Sequence, residues 1–140
     1  ILAADTASLC PLPVMEKEYT LDIPGETSVP GWEIKTSILP SSARINDGGF
    51  TACFDATKAG KKLTVRRRLP GDRFQPLGMT QEKKLNRFMI DARIPQAWRN
   101  RVPIVCTGGD VLWVAGWRID ERYRVRPDTK KVLRLEFKRI

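Results

Sequence analysis

The sequence predicts a mainly β domain, a sandwich or open barrel of short strands, with a small helical insertion that lends it an α+β flavour. Three observations carry this. Short runs alternate apolar and polar residues with a period of two, and Pro-Gly, Gly-Gly and Pro-Asp pairs separate them. The period changes to that of a helix only once, after Thr80. No regular βαβ alternation occurs, which argues against a parallel doubly wound sheet.

The elements follow in order. Residues 1–16 are weakly patterned, with Pro11 and Pro13 favouring an extended path, and read as a linker from a preceding domain. Residues 17–140 read as the folded domain. Tyr19, Leu21 and Ile23 alternate with Thr20 and Asp22. Gly25 to Val29 is a short strand between the turns at Pro24-Gly25 and Pro30-Gly31. Trp32, Ile34, Thr36 and Ile38 form a half-buried strand that Pro40 ends, and residues 40–49 read as a loop. Phe50 to Phe54 and Leu63 to Val65 alternate again. In the second of these runs, Arg66 and Arg68 fall opposite the apolar side and Arg67 falls on it.

Thr80 is placed as the N-cap of a helix in which Leu85, Phe88, Met89 and Ala92 form the apolar stripe. Lys83, Lys84 and Arg87 lie off that stripe. Ile94-Pro95 ends the helix, and Pro95 fits the first position of a short second one running through Trp98 and Arg101. Ile104 to Thr107 and Val111 to Ala115 flank Gly108-Gly109-Asp110, a buried hairpin. Residues 116–122 read as irregular, and Leu133, Leu135 and Phe137 mark a closing strand. The total is about seven to nine strands by the alternation rule.

Composition narrows the function. The chain has 140 residues, no histidine, and three cysteines, Cys10, Cys53 and Cys106, in no CxxC pair. Histidine-based catalysis, a zinc site and a disulfide scaffold are therefore not expected. No apolar run approaches the ~20 residues of a membrane helix, and no secretory leader is evident. A cytoplasmic setting with reduced, buried thiols fits. The chain begins at Ile1, its first Met is Met15, and it reads as a piece of something longer.

Charge is divided unevenly. Residues 1–60 carry four Lys or Arg against eight acids, and residues 61–140 carry twenty-one against eight. Such asymmetry points first to nucleic acid and second to an anionic membrane. The candidate contacts are Arg66, Arg67, Arg68, Arg73, Lys83, Lys84, Arg87, Arg93, Arg118 and Arg122. Lys83, Lys84 and Arg87 stand out because they are expected on one helix face. Against this, the arginines could pair internally with Asp72, Asp91, Asp120 and Glu121, and Asp72 and Asp120 read as acids that orient arginines rather than as general bases. Trp98 and Trp113 read as core; Trp117, between Gly116 and Arg118, could also stack on a base.

The order Val65-Arg66-Arg67-Arg68, Pro70-Gly71-Asp72-Arg73-Phe74, Pro76-Leu77-Gly78-Met79, Lys83-Lys84-Leu85, Phe88-Met89-Ile90-Asp91, Trp113-Val114-Ala115-Gly116 and Arg118-Ile119-Asp120-Glu121-Arg122 resembles the C-terminal domain of bacterial tRNA(Ile)-lysidine synthetase. The likeness runs from about Lys61 to Leu135. It implies a parent ligase that adenylates the wobble cytidine of tRNA(Ile) with ATP and lets lysine displace AMP. It implies that this fragment needs no cofactor and holds no catalytic or metal-binding residue. The family's Ser-Gly-Gly-x-Asp-Ser pyrophosphate loop does not occur in this chain. The expected partners are the acceptor stem of tRNA(Ile) and the catalytic and linker domains of the same polypeptide; a homodimer would also be compatible. Two alternatives remain at this point: an independent module for structured RNA, and a structural or dimerisation domain whose arginines are spent internally.

Overall fold

A computed structural model describes residues 15–40 and 49–139. Eleven strands among them form two antiparallel sheets and a two-stranded ribbon. The first sheet has the order β1 (Tyr19–Thr20), β5 (Leu63–Arg66), β8 (Ile104–Thr107), β9 (Asp110–Val114) and β10 (Arg118–Ile119). The second has the order β2 (Gly25–Val29), β3 (Trp32–Pro40), β11 (Lys131–Arg139) and β4 (Thr51–Asp55). Its spine is the nine-residue pairing of β3 with β11, from Trp32 opposite Arg139 to Pro40 opposite Lys131. Of the sandwich or open barrel expected from alternation, the sandwich is observed.

The two sheets share one core. Leu63, Val65, Val105 and Trp113 from the first sheet meet Trp32, Ile34, Phe54, Leu133 and Leu135 from the second. Phe137 stands edge-on to both Trp32 and Trp113, with ring centroids 5.8 and 5.4 Å away. Met15, assigned to the lead-in by sequence, is buried in this core. Residues 1–14 of the expected linker and 41–48 of the expected loop lie outside the described residues.

Two glycine-dependent features shape the first sheet. The β8–β9 hairpin turns on Gly108 and Gly109, with φ of 55° and 92°, values that suit residues without a Cβ. Gly116, φ 88°, lies under Phe50, where an added Cβ would come within 2.8 Å of the ring. A short helix missed by the sequence reading, α1 (Ala56–Ala59), follows β4. Asp55 caps it by accepting from the backbone N–H groups of Thr57 and Lys58, and its other oxygen accepts from the Thr129 hydroxyl.

The insertion grows out of the first sheet between its neighbours β5 and β8. Residues 67–103 leave the sheet and return beside the strand they left. On the way they form the ribbon of β6 (Arg73–Phe74) and β7 (Lys83–Lys84), helix α2 (Leu85–Asp91) and a 3-10 turn at Gln96–Trp98. Phe74, Leu85, Phe88 and Met89 pack on Ile104, Cys106, Val111 and Val114, the outer face of the first sheet. Each such fully buried side chain contributes on the order of 2 kcal/mol, so the insertion is anchored by a second core of its own.

This second core explains one departure from the sequence reading. Arg66 does lie opposite Val65, since their strand partners are Ile104 and Val105 on the two faces of the sheet. That opposite face is covered by the insertion, so Arg66 is buried while Arg67, beyond the end of the strand, is exposed. The helix also begins later than expected. Thr80 is no cap; Lys83 and Lys84 are extended and pair with Phe74 and Arg73, and α2 starts only at Leu85. The apolar stripe over Leu85, Phe88 and Met89 is real, but ribbon pairing takes over the first turn that propensity would have made helical. The expected short helix after Pro95 is the 3-10 turn, and the stretch read as irregular holds β10 and a 3-10 turn at Glu121–Tyr123.

Candidate nucleic-acid interface

Two arginines of the expected set serve the fold. Arg66 donates both terminal nitrogens to the Asp72 carboxylate at 2.9 Å each, and Asp72 also accepts from the Leu69 backbone N–H. The fork closes the Leu69-Pro70-Gly71-Asp72 turn onto the end of β5. Hydrogen bonding to Asp72 raises the Arg66 pKa further above its ordinary value. Arg122 makes the same kind of fork with Asp120, through Nε at 3.0 Å and Nη2 at 2.8 Å. Asp120 is fully buried and also accepts from the N–H groups of Gln75 and Arg122. The fork with Asp120 pushes the Arg122 pKa upward. Asp72 and Asp120 thus orient arginines, as the sequence suggested, and Arg66 and Arg122 are withdrawn from the list of free cations.

Asp120 also anchors the loop that joins the two strands of the ribbon. Glu121 N–H donates to Gln75 O at 2.7 Å, Leu77 N–H to Ile119 O at 3.0 Å, and Gly78 N–H to the Glu121 carboxylate at 2.9 Å. These bonds hold residues 75–78 against β10. That bond from Gly78, with the Arg124 guanidinium, keeps the Glu121 carboxyl below its ordinary range.

Three more cations share acids at the surface. Lys83 and Arg87 both reach Asp91, and Arg73 stands 3.7 Å from Glu82, which also faces Arg122 at 3.6 Å. Hydrogen bonding from Lys83 lowers the Asp91 pKa. Such half-exposed pairs are worth little and open readily to a stronger anion. Lys84, across the ribbon from Arg73, is exposed and pairs with no acid among the described residues. Arg93 is exposed just past α2 in a left-handed conformation, φ 60°. Arg118 lies over the Phe88 ring, 5.7 Å from its centroid, and so lies beside α2 from the sheet side.

Arg68 differs from all of these. It is half-buried, and its partners are neutral: Nε donates to Asn100 and Nη1 to Asn86, each at 2.9 Å. Burial lowers its pKa, and the neighbouring Arg99 and Arg67 lower it further. Asn86 and Asn100 escaped the sequence reading, and Arg99 entered it only as part of the family resemblance, not as a candidate contact. The only signal for them was polarity on the open side of the insertion, and periodicity does not distinguish an amide that holds an arginine from one that faces water.

The insertion therefore joins most of the expected residues through shared partners and adjacent backbone, and residues 118–122 join it from the sheet. Trp113 is core, and Trp98 and Trp117 are half-buried against it. Among the described residues no cluster of His, Cys, Asp and Glu could hold a metal ion, and no helix is long and apolar enough to cross a membrane.

A β-sandwich with an insertion placed in this way recurs in solved structures. A solved structure titled "Crystal structure of TILS C-terminal domain" superposes with a TM-score of 0.72 at 27% identity, covering 89% of this chain and 98% of that one. An N-terminal fragment of the phenylalanyl-tRNA synthetase β-subunit from Pyrococcus horikoshii shares the fold, with a TM-score of 0.54 at 21% identity over 62% of this chain and 27% of that one. The family model described as "TilS substrate C-terminal domain" matches residues 63–137, and the chain belongs to that family.

Proteins named tRNA(Ile)-lysidine synthase align over most of the chain. The one from Dehalococcoides mccartyi (strain CBDB1) is 46% identical over 93% of this chain and 28% of its own length. That from Caldanaerobacter subterraneus subsp. tengcongensis is 38% identical over 84% of this chain and 26% of its own. The chain thus spans about a quarter of the length of these curated relatives.

Proposed function

We propose that this chain is the tRNA-binding C-terminal domain of an ATP-dependent tRNA(Ile)-lysidine synthase, and that it grips the acceptor stem of tRNA(Ile). The parent enzyme, a carbon–nitrogen ligase using ATP and lysine, converts the wobble cytidine to lysidine in a catalytic domain elsewhere in the polypeptide. This domain contributes binding and orientation, not chemistry. The observation that carries the reading is the insertion together with the neighbouring β10: among the described residues, Arg67, Lys84 and Arg93 of the insertion and Arg118 of β10 are exposed and in no ion pair with an acid, and Arg73, Lys83 and Arg87 pair only with exposed acids. An A-form stem offers phosphates and 2′-hydroxyls on a regular shape, which such a surface can meet without reading bases. Holding the stem fixes where the anticodon loop falls, and positioning of that kind lowers the barrier in the distant site.

The test is tRNA binding by this chain across a salt series. The double variant Lys84→Glu, Arg87→Glu is expected to lose about tenfold or more in affinity near 0.1 M salt and to flatten the log–log salt slope by about two. Its thermal midpoint should stay near wild type, because both side chains are exposed. Unchanged affinity at low salt would reject the reading.

A further inference from the structure

We propose that the cavity bounded by Arg67, Arg68, Leu69, Pro70, Asn86 and Asn100 is a phosphate site that seats one phosphate of the bound RNA. The proposal rests on the RNA-binding reading above and assigns it a specific anchor.

The cavity encloses about 260 Å³ and opens to solvent. No acid lines it. Asp72, the carboxylate on the adjoining turn, is spent on Arg66 and on the Leu69 N–H. The side-chain acceptors at the cavity, Asn86 Oδ1 and Asn100 Oδ1, are both spent on Arg68. What the lining still offers is donors: the second terminal nitrogen of Arg68, the guanidinium of Arg67 and the NH2 groups of both amides. A concave site rich in donors and poor in acceptors fits a tetrahedral oxyanion.

The way Arg68 is held supports the same conclusion. A fold that needed only a cation there would place a carboxylate beside it, as it does at Arg66 and Arg122. Here two neutral amides fix the guanidinium plane and leave its charge uncompensated. Arg67 and Arg99 add to that charge, and together with burial they lower the Arg68 pKa. An incoming phosphate would supply the missing negative charge, while Leu69 and Pro70 give an apolar wall against which a ribose can rest. The amides come from α2 and from the segment after the 3-10 turn. The site therefore exists only when the insertion is folded.

The phosphate could be an internal phosphodiester or a terminal monoester, and the test separates them. The first measurement is an NMR titration of this chain with inorganic phosphate, following the Arg68 Nε–H and the side-chain NH2 signals of Asn86 and Asn100. The expected result is saturable shifts at these groups. The diagnostic variant is Asn100→Asp, which keeps the oxygen that holds Arg68 and adds a negative charge. A merely structural role predicts equal or greater thermal stability and unchanged anion binding. The phosphate site predicts equal or greater stability with the titration shifts lost, tRNA affinity reduced about three- to tenfold, and a salt slope lower by about one. Arg67→Gln should reduce affinity in the same direction.

Stem RNAs with and without a 5′-phosphate identify the source. A variant effect confined to the phosphorylated RNA marks a terminal phosphate, and an equal effect on both marks an internal diester. If wild type binds tRNA but Asn100→Asp binds it equally well with the same slope, the phosphate site is wrong and the RNA-binding reading stands. If wild type shifts with phosphate but binds no tRNA, the RNA-binding reading fails and takes this assignment with it.

Discussion

Asp120→Ala tests whether the insertion is held to the sandwich by a buried carboxylate. Asp120 is fully buried and accepts four hydrogen bonds, from Gln75 N–H, Arg122 N–H, Arg122 Nε and Arg122 Nη2. Removing it strands two backbone donors, each worth about 1 kcal/mol net. It also leaves the guanidinium of Arg122 without its fork. A fully buried orphaned charge would cost about 3–5 kcal/mol. The Arg122 side chain is 37% exposed and within 3.6 Å of Glu82, so water and Glu82 recover much of that loss. The expected total is about 3 kcal/mol, or roughly 10 °C in thermal midpoint for a domain of this size. Urea unfolding by circular dichroism measures it. Asp120→Asn, which keeps the shape and can still accept from backbone, should lose about 2 kcal/mol. Glu82→Gln, removing only exposed pairs, should move stability by less than about 0.5 kcal/mol. A loss below about 1 kcal/mol for Asp120→Ala would show that the fork is surface decoration and that the apolar core alone holds the insertion.

Other outcomes follow from the same geometry. Phe74→Ala empties the centre of the second core, where Phe74 meets Phe88 edge-on at 5.0 Å, and should cost about 3–4 kcal/mol and weaken RNA binding; equal stability would mean that the cavity collapses freely. Glu121 has a depressed pKa in the folded state, so its stabilisation is complete above its ordinary value of 4.5 and disappears as pH falls through the lower folded value. The urea midpoint should therefore fall between about pH 5 and 3 in wild type and fall less in Glu121→Gln; parallel curves would contradict this. Cys106 is buried and its thiol is pushed up to about 12, so peptide mapping after alkylation at pH 8 should find it unmodified in the native chain and labelled in urea; rapid native labelling would show that the insertion opens.

The sequence by itself determined the fold class, the core strands and the place of the insertion. Alternation reports which side of a strand is apolar, and a change of period reports a helix, because both are properties of consecutive residues. The run from Arg66 to Met79 was specific enough to resemble one family, and the family model and the relatives agree. What only the tertiary structure decided is the fate of each charge. Arg66, Arg67 and Arg68 are neighbours in the chain, yet one is locked on Asp72, one is exposed to solvent and one is held by two amides. That difference depends on partners up to 32 residues away and on an insertion that covers the outer face of a sheet. A guanidinium has the same local signature whether it ends against a carboxylate, an amide or water, so spacing along the chain cannot distinguish the three.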